Sequence, residues 1–115
     1  MTDRTGNQQP TVKTRRLEQF SEIIRLTQSM LALAEAGEWD AIAPVQAERQ
    51  ELILGFFDAG IAVEEAAWVE RGINEILQLD KRVMAMGKDA IASISSDYEL
   101  LTKSRNASNA YLANR

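Results

Sequence analysis

The sequence predicts an all-α fold, an antiparallel three-helix bundle in which a helical hairpin is followed by a long third helix. The composition favours helix, because the 115 residues include only two prolines and 45% of them are hydrophobic. Apolar residues recur every three or four positions through three long segments, and no segment shows the alternation of a strand. The connections between these segments are short, which predicts that consecutive helices run antiparallel within one domain.

The first predicted helix covers about residues 12–36. The preceding residues, 1–11, are polar and are predicted to form a disordered tail. Gly37 follows the predicted helix directly, at the C′ position where glycine commonly ends a helix. The residues that form the apolar stripe of this helix are Leu17, Phe20, Ile23, Ile24, Thr27, Met30, Leu31 and Ala34.

The second and third predicted helices cover about residues 39–57 and 67–102. The apolar stripe of the third helix keeps one phase to its end, so a single helix is predicted there. Ser96 and Glu99 have the spacing of a capping box, and the alternative is a short C-terminal fourth helix that begins at this point. Residues 103–115 are rich in Asn and Ser and are predicted to be flexible or weakly helical.

The chain contains neither cysteine nor histidine. Disulfides, thiolate chemistry and Cys or His metal sites are therefore excluded, and an enzyme would lack the most common general base. We predict no catalytic site, no cofactor and no bound metal. The N-terminus lacks the apolar region of a secretory signal, and no uncharged run approaches the roughly 20 residues that span a bilayer. A cytoplasmic protein without membrane insertion is predicted.

Charge is distributed unevenly along the chain, whose net charge is −4. Residues 1–16 carry four basic side chains and one acidic one, and residues 103–115 carry three basic side chains and no acid. The stretch between them holds six basic and sixteen acidic residues. Because an acidic body repels phosphate backbones, no nucleic-acid partner is predicted, whereas the basic ends can contact an acidic protein.

Three polar residues lie at the centres of the apolar stripes: Thr27 in the first helix, Arg49 in the second and Asp80 in the third. Thr27 and Arg49 are about equally far from the turn at Gly37, so an antiparallel hairpin brings them level. We predict a buried polar layer in which the guanidinium group binds the carboxylate. Its role would be to fix the register of the helices, since buried ion pairs seldom add net stability.

The apolar arc of the first helix is wider than the roughly 100° that a helix needs to face a core. One interpretation is that this helix is wedged between the other two. The other is an exposed groove that accepts an amphipathic helix of a partner, and methionines suit such an adaptable surface. The residues predicted to contact a partner are Ile23, Leu26, Met30, Leu33, Met84 and Met86.

Several motifs occur in the order and spacing of a known family. The stretch "LTQSMLALAEAGEWDAIAPVQAERQELILGFF" contains Leu-Thr and Met-Leu before Gly-Glu-Trp-Asp, followed by a Glu-x-Arg helix that continues in Leu and Phe. "INEILQLDKRV" contains Ile-Leu-x-Leu-Asp, and "KSRNASNAY" closes on Ala-Tyr after a lysine. Together these motifs, within residues 17–111, resemble those of the FliT-type flagellar export chaperones.

This resemblance implies a bundle that binds the C-terminal segment of the flagellar filament-cap protein, keeps it monomeric and delivers it to the type III export apparatus. It also implies contacts with the export ATPase complex and the export gate and, in some members, antagonism of the flagellar master regulator. Leu26, Met30 and Leu33 would lie on the first helix of the cargo-binding bundle. The C-terminal segment that regulates access to the cargo site would contain Lys103, Arg105 and Tyr111. The sequence leaves open whether the protein is a monomer or a homodimer.

Two other functions fit parts of the sequence. The wide apolar arc alone would equally suit a helical adaptor of an unrelated system. A small all-helical mutase of the chorismate type would need several cationic side chains that converge on a dicarboxylate substrate. Arg49 is the clearest inward cation, and Asp80 is already its predicted partner, so the enzyme interpretation is the weakest of the three.

Overall fold

The computed structural model describes residues 11–113, with side chains described as far as residue 106. The remainder of the predicted N-terminal tail, residues 1–10, lies outside the described part. The three helices are α1, Val12–Glu35; α2, Ile42–Asp58; and α3, Ala66–Ala113. Residues 11–113 contain no strand. The prediction of an all-α, three-helix fold is confirmed.

The ends of α1 follow from local hydrogen bonds. Thr11 is the N-cap, and its side-chain oxygen accepts a backbone N–H of the first turn. At the other end Gly37 has a φ of 74°, and its N–H donates to the carbonyl of Ala34 over 3.0 Å. The N–H of Glu38 donates to the carbonyl of Leu33, which completes a Schellman motif. A residue with a Cβ would be strained at the positive φ of Gly37.

A three-residue 3-10 turn, Trp39–Ala41, leads into α2. Pro44 lies in the first turn of this helix, where the N–H that proline lacks would have no intrahelical partner. Gly60 ends the helix with a φ of 80°, and its N–H donates to the carbonyl of Phe57. A second 3-10 turn, Val63–Glu65, leads into α3.

The third helix runs without a break past Ser96 to Ala113. The alternative of a separate fourth helix is therefore wrong for the described residues, and the helix enters the segment 103–115 that was predicted to be flexible or weakly helical. Asn and Ser are poorer helix formers than Ala by only about 0.5 kcal/mol each. Extending an existing helix avoids the cost of nucleation, so a few such residues do not end it.

The hydrophobic core lies where all three helices meet. Phe20 of α1 faces Phe56 of α2 with ring centroids 5.0 Å apart, and Trp68 of α3 packs edge-on against Phe20 at 5.5 Å. Ile23 and Val69 are buried beside them. A second buried group lies nearer the α1–α2 turn, and its members are Leu26, Met30, Leu31, Ala34 and Ile42.

Pairs of side chains across the core give the direction of each helix. Near the start of α1, Phe20 lies against Gly72 of α3, whereas Glu35 at its end pairs with Arg82 over 3.5 Å. α1 and α3 therefore run in the same direction, and α2 runs opposite to both. By packing, the chain divides into a first unit that ends at Val83 and a second unit that begins at Met84 and consists of the remainder of α3.

Candidate functional site

A polar layer crosses the first unit between the three helices. The hydroxyl of Thr27, which is fully buried, donates to the carbonyl of Ile23 over 2.9 Å. Nη1 of Arg49 donates to the same hydroxyl oxygen at 3.1 Å and to Oδ1 of Asp80 at 2.8 Å. The side chain of Arg49 is 11% exposed and that of Asp80 is 29% exposed. One guanidinium group thus joins α1, α2 and α3 at a single level.

This arrangement is suited to positioning helices. Arg49 donates hydrogen bonds to Thr27 and Asp80. These contacts explain why a charged residue lies in the buried stripe of α2, and no catalytic role is needed to explain it. Because the ion pair is held between antiparallel neighbours, a shift of either helix by one turn would separate the two charges. Among the residues whose positions are described, no group of His, Cys, Asp or Glu side chains could hold a metal ion.

A second polar group, the Arg16 cluster, consists of Arg16, Glu65 and the backbone carbonyls of Phe56 and Gly60. Nε and Nη2 of Arg16 donate to the two carboxylate oxygens of Glu65 at 2.8 and 3.1 Å. Nη1 donates to the carbonyl of Phe56 and Nη2 to that of Gly60, both over 2.8 Å. The guanidinium also lies 3.7 Å from the ring centroid of Phe56. Arg16 therefore ties α1 to the C-terminus of α2 and to the turn that leads into α3.

Reasoning from the sequence missed the Arg16 cluster, because Arg16 was counted only as one of the basic residues near the N-terminus. A signal was present: Arg16 precedes Phe20 by four residues and Ile23 by seven, so it lies on the inner face of α1. Arg49 has the same kind of position on the inner face of α2. The partners of Arg16 could not be inferred, since two of them are backbone carbonyls at a helix end.

The Arg16 cluster makes stability depend on pH in the acid range. The hydrogen bonds from Arg16, and then that from the N–H of Ala62, lower the pKa of Glu65 from 4.5 to about 2. Since the folded pKa is below the unfolded one, the stabilisation is complete above pH 4.5 and is lost as the pH falls towards 2. We expect Glu65→Gln to lower the urea midpoint of unfolding at neutral pH, and this difference from the wild type to shrink steadily below pH 4.5.

The matched control for this prediction is Glu64→Gln, which removes the same charge from the exposed neighbouring residue. Its urea midpoint should follow that of the wild type at every pH. A difference between Glu65→Gln and the wild type that stayed constant down to pH 2 would show that the ion pair with Arg16 does not stabilise the fold.

Three of the six residues that the sequence predicts to contact a partner are buried in the structure. Ile23, Leu26 and Met30 are buried, so an exposed groove at these residues of α1 is absent and that prediction needs correction. The apolar arc of α1 is wide because the helix is wedged between α2 and α3, the first of the two interpretations. The other three residues divide by exposure: Leu33 and Met86 are half-buried, and Met84 is exposed.

Exposed apolar side chains of the first unit border the contact between α2 and α3. Starting from the Arg49–Asp80 pair, the row Arg49, Ile53, Phe57 runs along α2 at a spacing of four. The row Asp80, Leu77, Ile73 runs alongside it on α3, because the two helices are antiparallel. Leu77 is 57% exposed, and Phe57 and Ile73 are 36% exposed. We name Phe57, Ile73 and Leu77 the α2–α3 apolar row.

The second unit exposes a larger set of apolar side chains. Those of highest exposure, between 63% and 70%, are Met84, Ile91, Ile94, Tyr98, Leu100 and Leu101. Lys103 and Arg105, the predicted regulatory residues, are also exposed in this unit. The side chain of Tyr111, the third, lies outside the described residues.

Comparison with known proteins identifies the family. The family model described as "Flagellar protein FliT" matches residues 17–113, most of the chain. The chain belongs to the FliT flagellar protein family. FliT proteins are flagellar export chaperones rather than enzymes, which agrees with the bundle and with the resemblance of the motifs. No curated protein and no solved structure matches the chain significantly. None of the helices in the described part combines the length and apolar character needed to cross a membrane.

Proposed function

We propose that this member of the FliT family is a cytoplasmic chaperone for the C-terminal segment of the flagellar filament-cap protein. It keeps that protein monomeric and delivers it to the type III export apparatus. Family membership over residues 17–113 supports a role in flagellar export. The filament-cap cargo is the partner that the resemblance of the sequence motifs implies.

The surface that supports this proposal is the α2–α3 apolar row. An export chaperone must present apolar side chains that an unassembled cargo segment can cover, and the predicted groove on α1 is not available because its residues are buried. Phe57, Ile73 and Leu77 remain exposed beside the contact between α2 and α3. An amphipathic helix of the cargo laid along this row would bury all three, and we assign cargo binding to it.

The remaining partners follow from the resemblance to the family. We propose that the chaperone delivers its cargo through contacts with the export ATPase complex and the export gate. The segment that contains Lys103, Arg105 and Tyr111 would regulate access to the cargo site. Leu33, which is half-buried on α1, remains a candidate for cargo contact.

Leu77→Glu is expected to weaken cargo binding strongly. The change places a charge at the most exposed member of the α2–α3 apolar row, where a bound helix would have to bury it. We expect the Kd for the C-terminal segment of the filament-cap protein to rise by at least about tenfold, as for an interface hot spot. Isothermal titration calorimetry with the purified segment would measure this.

The matched control is Leu100→Glu, the same change at another exposed leucine of α3, which should leave cargo affinity unchanged. If wild-type protein binds the segment and Leu77→Glu binds it equally well, the cargo surface lies elsewhere. If the wild type does not bind the segment at all, the proposal that the filament-cap protein is the cargo is wrong. A helical adaptor with another partner then becomes the better interpretation.

A further inference from the structure

The polar layer borders one end of the α2–α3 apolar row. On α3, Leu77 and Ile73 precede Asp80 by three and seven residues, so they lie about 4.5 and 10.5 Å from it along the helix axis. On α2, Phe57 lies eight residues from Arg49, about 12 Å away in the same direction because the two helices are antiparallel. The Arg49–Asp80 pair is therefore about one helical turn from Leu77, the most exposed member of the row.

The pair is accessible from the side on which the row lies. Thr27 of α1 lies against Arg49 and is fully buried, so α1 closes the polar layer from within. The side chain of Asp80 is nevertheless 29% exposed. Because α1 covers the inner side, the exposed part of this carboxylate faces outward, between α2 and α3. A helix laid along the α2–α3 apolar row and extended by one turn would cover it.

Both members of the pair keep hydrogen-bonding capacity that the described residues do not use. Of the three guanidinium nitrogens of Arg49, only Nη1 donates to described residues, namely Thr27 and Asp80. Nε and Nη2 have no acceptor among these residues, although the side chain is only 11% exposed. Oδ1 of Asp80 accepts from Arg49, whereas Oδ2 accepts from none of the described residues. A helix that excluded water from the pair would have to satisfy these groups, since unpaired polar groups are costly once buried.

We propose that the Arg49–Asp80 pair selects a cargo helix that carries an asparagine or glutamine at the level of the polar layer. This inference rests on the proposed function and deepens it. The amide oxygen accepts from Nε or Nη2 of Arg49, and the amide nitrogen donates to Oδ2 of Asp80. The amide is neutral, as is the ion pair taken as a whole. A carboxylate or an ammonium group in its place would leave one charge without a counter-ion at the contact.

A hydroxyl group is a poorer complement than an amide. Packed helices lie about 8–10 Å apart, and the exposed Leu77 holds a bound helix away from α3 at this end of the row. The short side chain of a serine or threonine would then not reach both Arg49 and Asp80. The longer amide side chains carry a donor and an acceptor on separate atoms and can bridge the two groups.

The amide would fix the register of the cargo helix. A slide of one turn, about 5.4 Å, would set an apolar side chain against Arg49 and Asp80 and the amide against Leu77. The matching cargo helix therefore has an apolar residue three or four positions from the amide, to cover Leu77, and another about seven positions away, to cover Ile73 and Phe57. The α2–α3 apolar row supplies affinity, and the polar layer supplies selectivity against helices without the amide.

A double-mutant cycle across the interface tests this proposal. The chaperone variant is Arg49→Leu/Asp80→Leu, which removes both charges together, and urea unfolding checks that it remains folded. Each Asn and Gln of the C-terminal segment of the filament-cap protein is replaced by Leu in turn, and isothermal titration calorimetry measures the Kd of every combination. We expect one replacement to raise the Kd for the wild type by about tenfold or more, and the same replacement to leave the Kd for the double variant unchanged or lower.

A second variant preserves the shape of the site. Asp80→Asn keeps an acceptor for Arg49 but replaces Oδ2 by a donor, which would face the donating nitrogen of the cargo amide. It should weaken binding of the native segment and remove the preference for the amide. The matched control is Glu22→Leu/Arg25→Leu, the same two changes at an ion pair of α1 whose side chains are 37% and 60% exposed. This control should bind every form of the segment as the wild type does.

The outcomes separate this proposal from the function on which it rests. If every amide replacement changes the Kd equally for the wild type and the double variant, while Leu77→Glu still weakens binding, the row binds the cargo but the polar layer does not select it. Coupling to a charged residue of the segment instead of an amide would also overturn the proposal. If the wild type does not bind the segment at all, the proposed function fails and this inference fails with it.

Discussion

Replacing Gly72 by alanine is expected to lower the free energy of unfolding of the first unit by about 2–3 kcal/mol, as overpacking of a core commonly does. A Cβ at this position would overlap Cε2 of Phe20 and lie 2.7 Å from its Cζ. The ring cannot simply rotate away, because Phe56 and Trp68 pack against it with centroids 5.0 and 5.5 Å distant. Urea or thermal unfolding followed by circular dichroism would measure the loss.

Gly55→Ala is the matched control for this change. Gly55 also lies inside a helix, but nothing lies within 4 Å of the position that its Cβ would take. Alanine should therefore stabilise the protein there, by up to about 1 kcal/mol, through its higher helix propensity. The same gain is available at position 72, so a destabilised Gly72→Ala reports the collision with Phe20 rather than any backbone effect.

A smaller side chain at position 20 should relieve the collision. We expect Phe20→Leu and Gly72→Ala to be less damaging together than the sum of their separate effects, with a coupling of at least about 1 kcal/mol. Independent, additive losses would mean that α1 and α3 do not approach as closely as the structure places them. In that case the wide apolar arc of α1 would need another explanation.

Removing Asp80 is expected to cause the second large loss of stability. Asp80→Leu would leave the guanidinium of Arg49, only 11% exposed, with Thr27 as its remaining side-chain acceptor. Breaking a buried ion pair costs about 3–5 kcal/mol, and we expect the lower end of this range because Asp80 retains partial access to water. Arg49→Leu should cost less, since the carboxylate that it leaves behind is the better solvated partner.

The double variant Arg49→Leu/Asp80→Leu tests whether the two residues act as a pair. We expect its free energy of unfolding to lie closer to that of the wild type than the sum of the single effects, because two leucines leave no unpaired charge in the core. Asp89→Leu, at an exposed position of α3, serves as the control for removing one acidic side chain. Additive effects of Arg49→Leu and Asp80→Leu would show that the pair does not contribute as a unit.

The two polar clusters show which contacts helical periodicity can predict and which it cannot. The 3.6-residue period placed Arg49 and Asp80 in apolar stripes, and two short turns brought their helices side by side, so the sequence sufficed to suggest their contact. The same period placed Arg16 on the inner face of α1, but nothing local relates it to Glu65 or to the carbonyls of Phe56 and Gly60. Those partners come together only when the end of α2 and the following turn pack against α1.

Helical periodicity could not predict which apolar side chains are exposed to water. A wide apolar arc has the same appearance in a sequence whether two helices cover it or a partner does. The structure buries Ile23, Leu26 and Met30 and exposes Leu77, although all four are apolar residues on helices of the first unit. Which of them faces water depends on how three helices pack, and that depends on contacts between residues far apart in the chain.

The sequence by itself determined the helical class, the turn at Gly37, the polar layer and the family, because each depends on residue type and on spacing along one chain. Only the tertiary structure decided that the wide arc of α1 is interior, that Arg16 joins three segments, and that exposed apolar side chains lie on the α2–α3 apolar row and on the second unit. The physical reason is that burial is a property of the assembled helices. A residue loses contact with water only when another segment covers it, and no local pattern specifies which segment that will be.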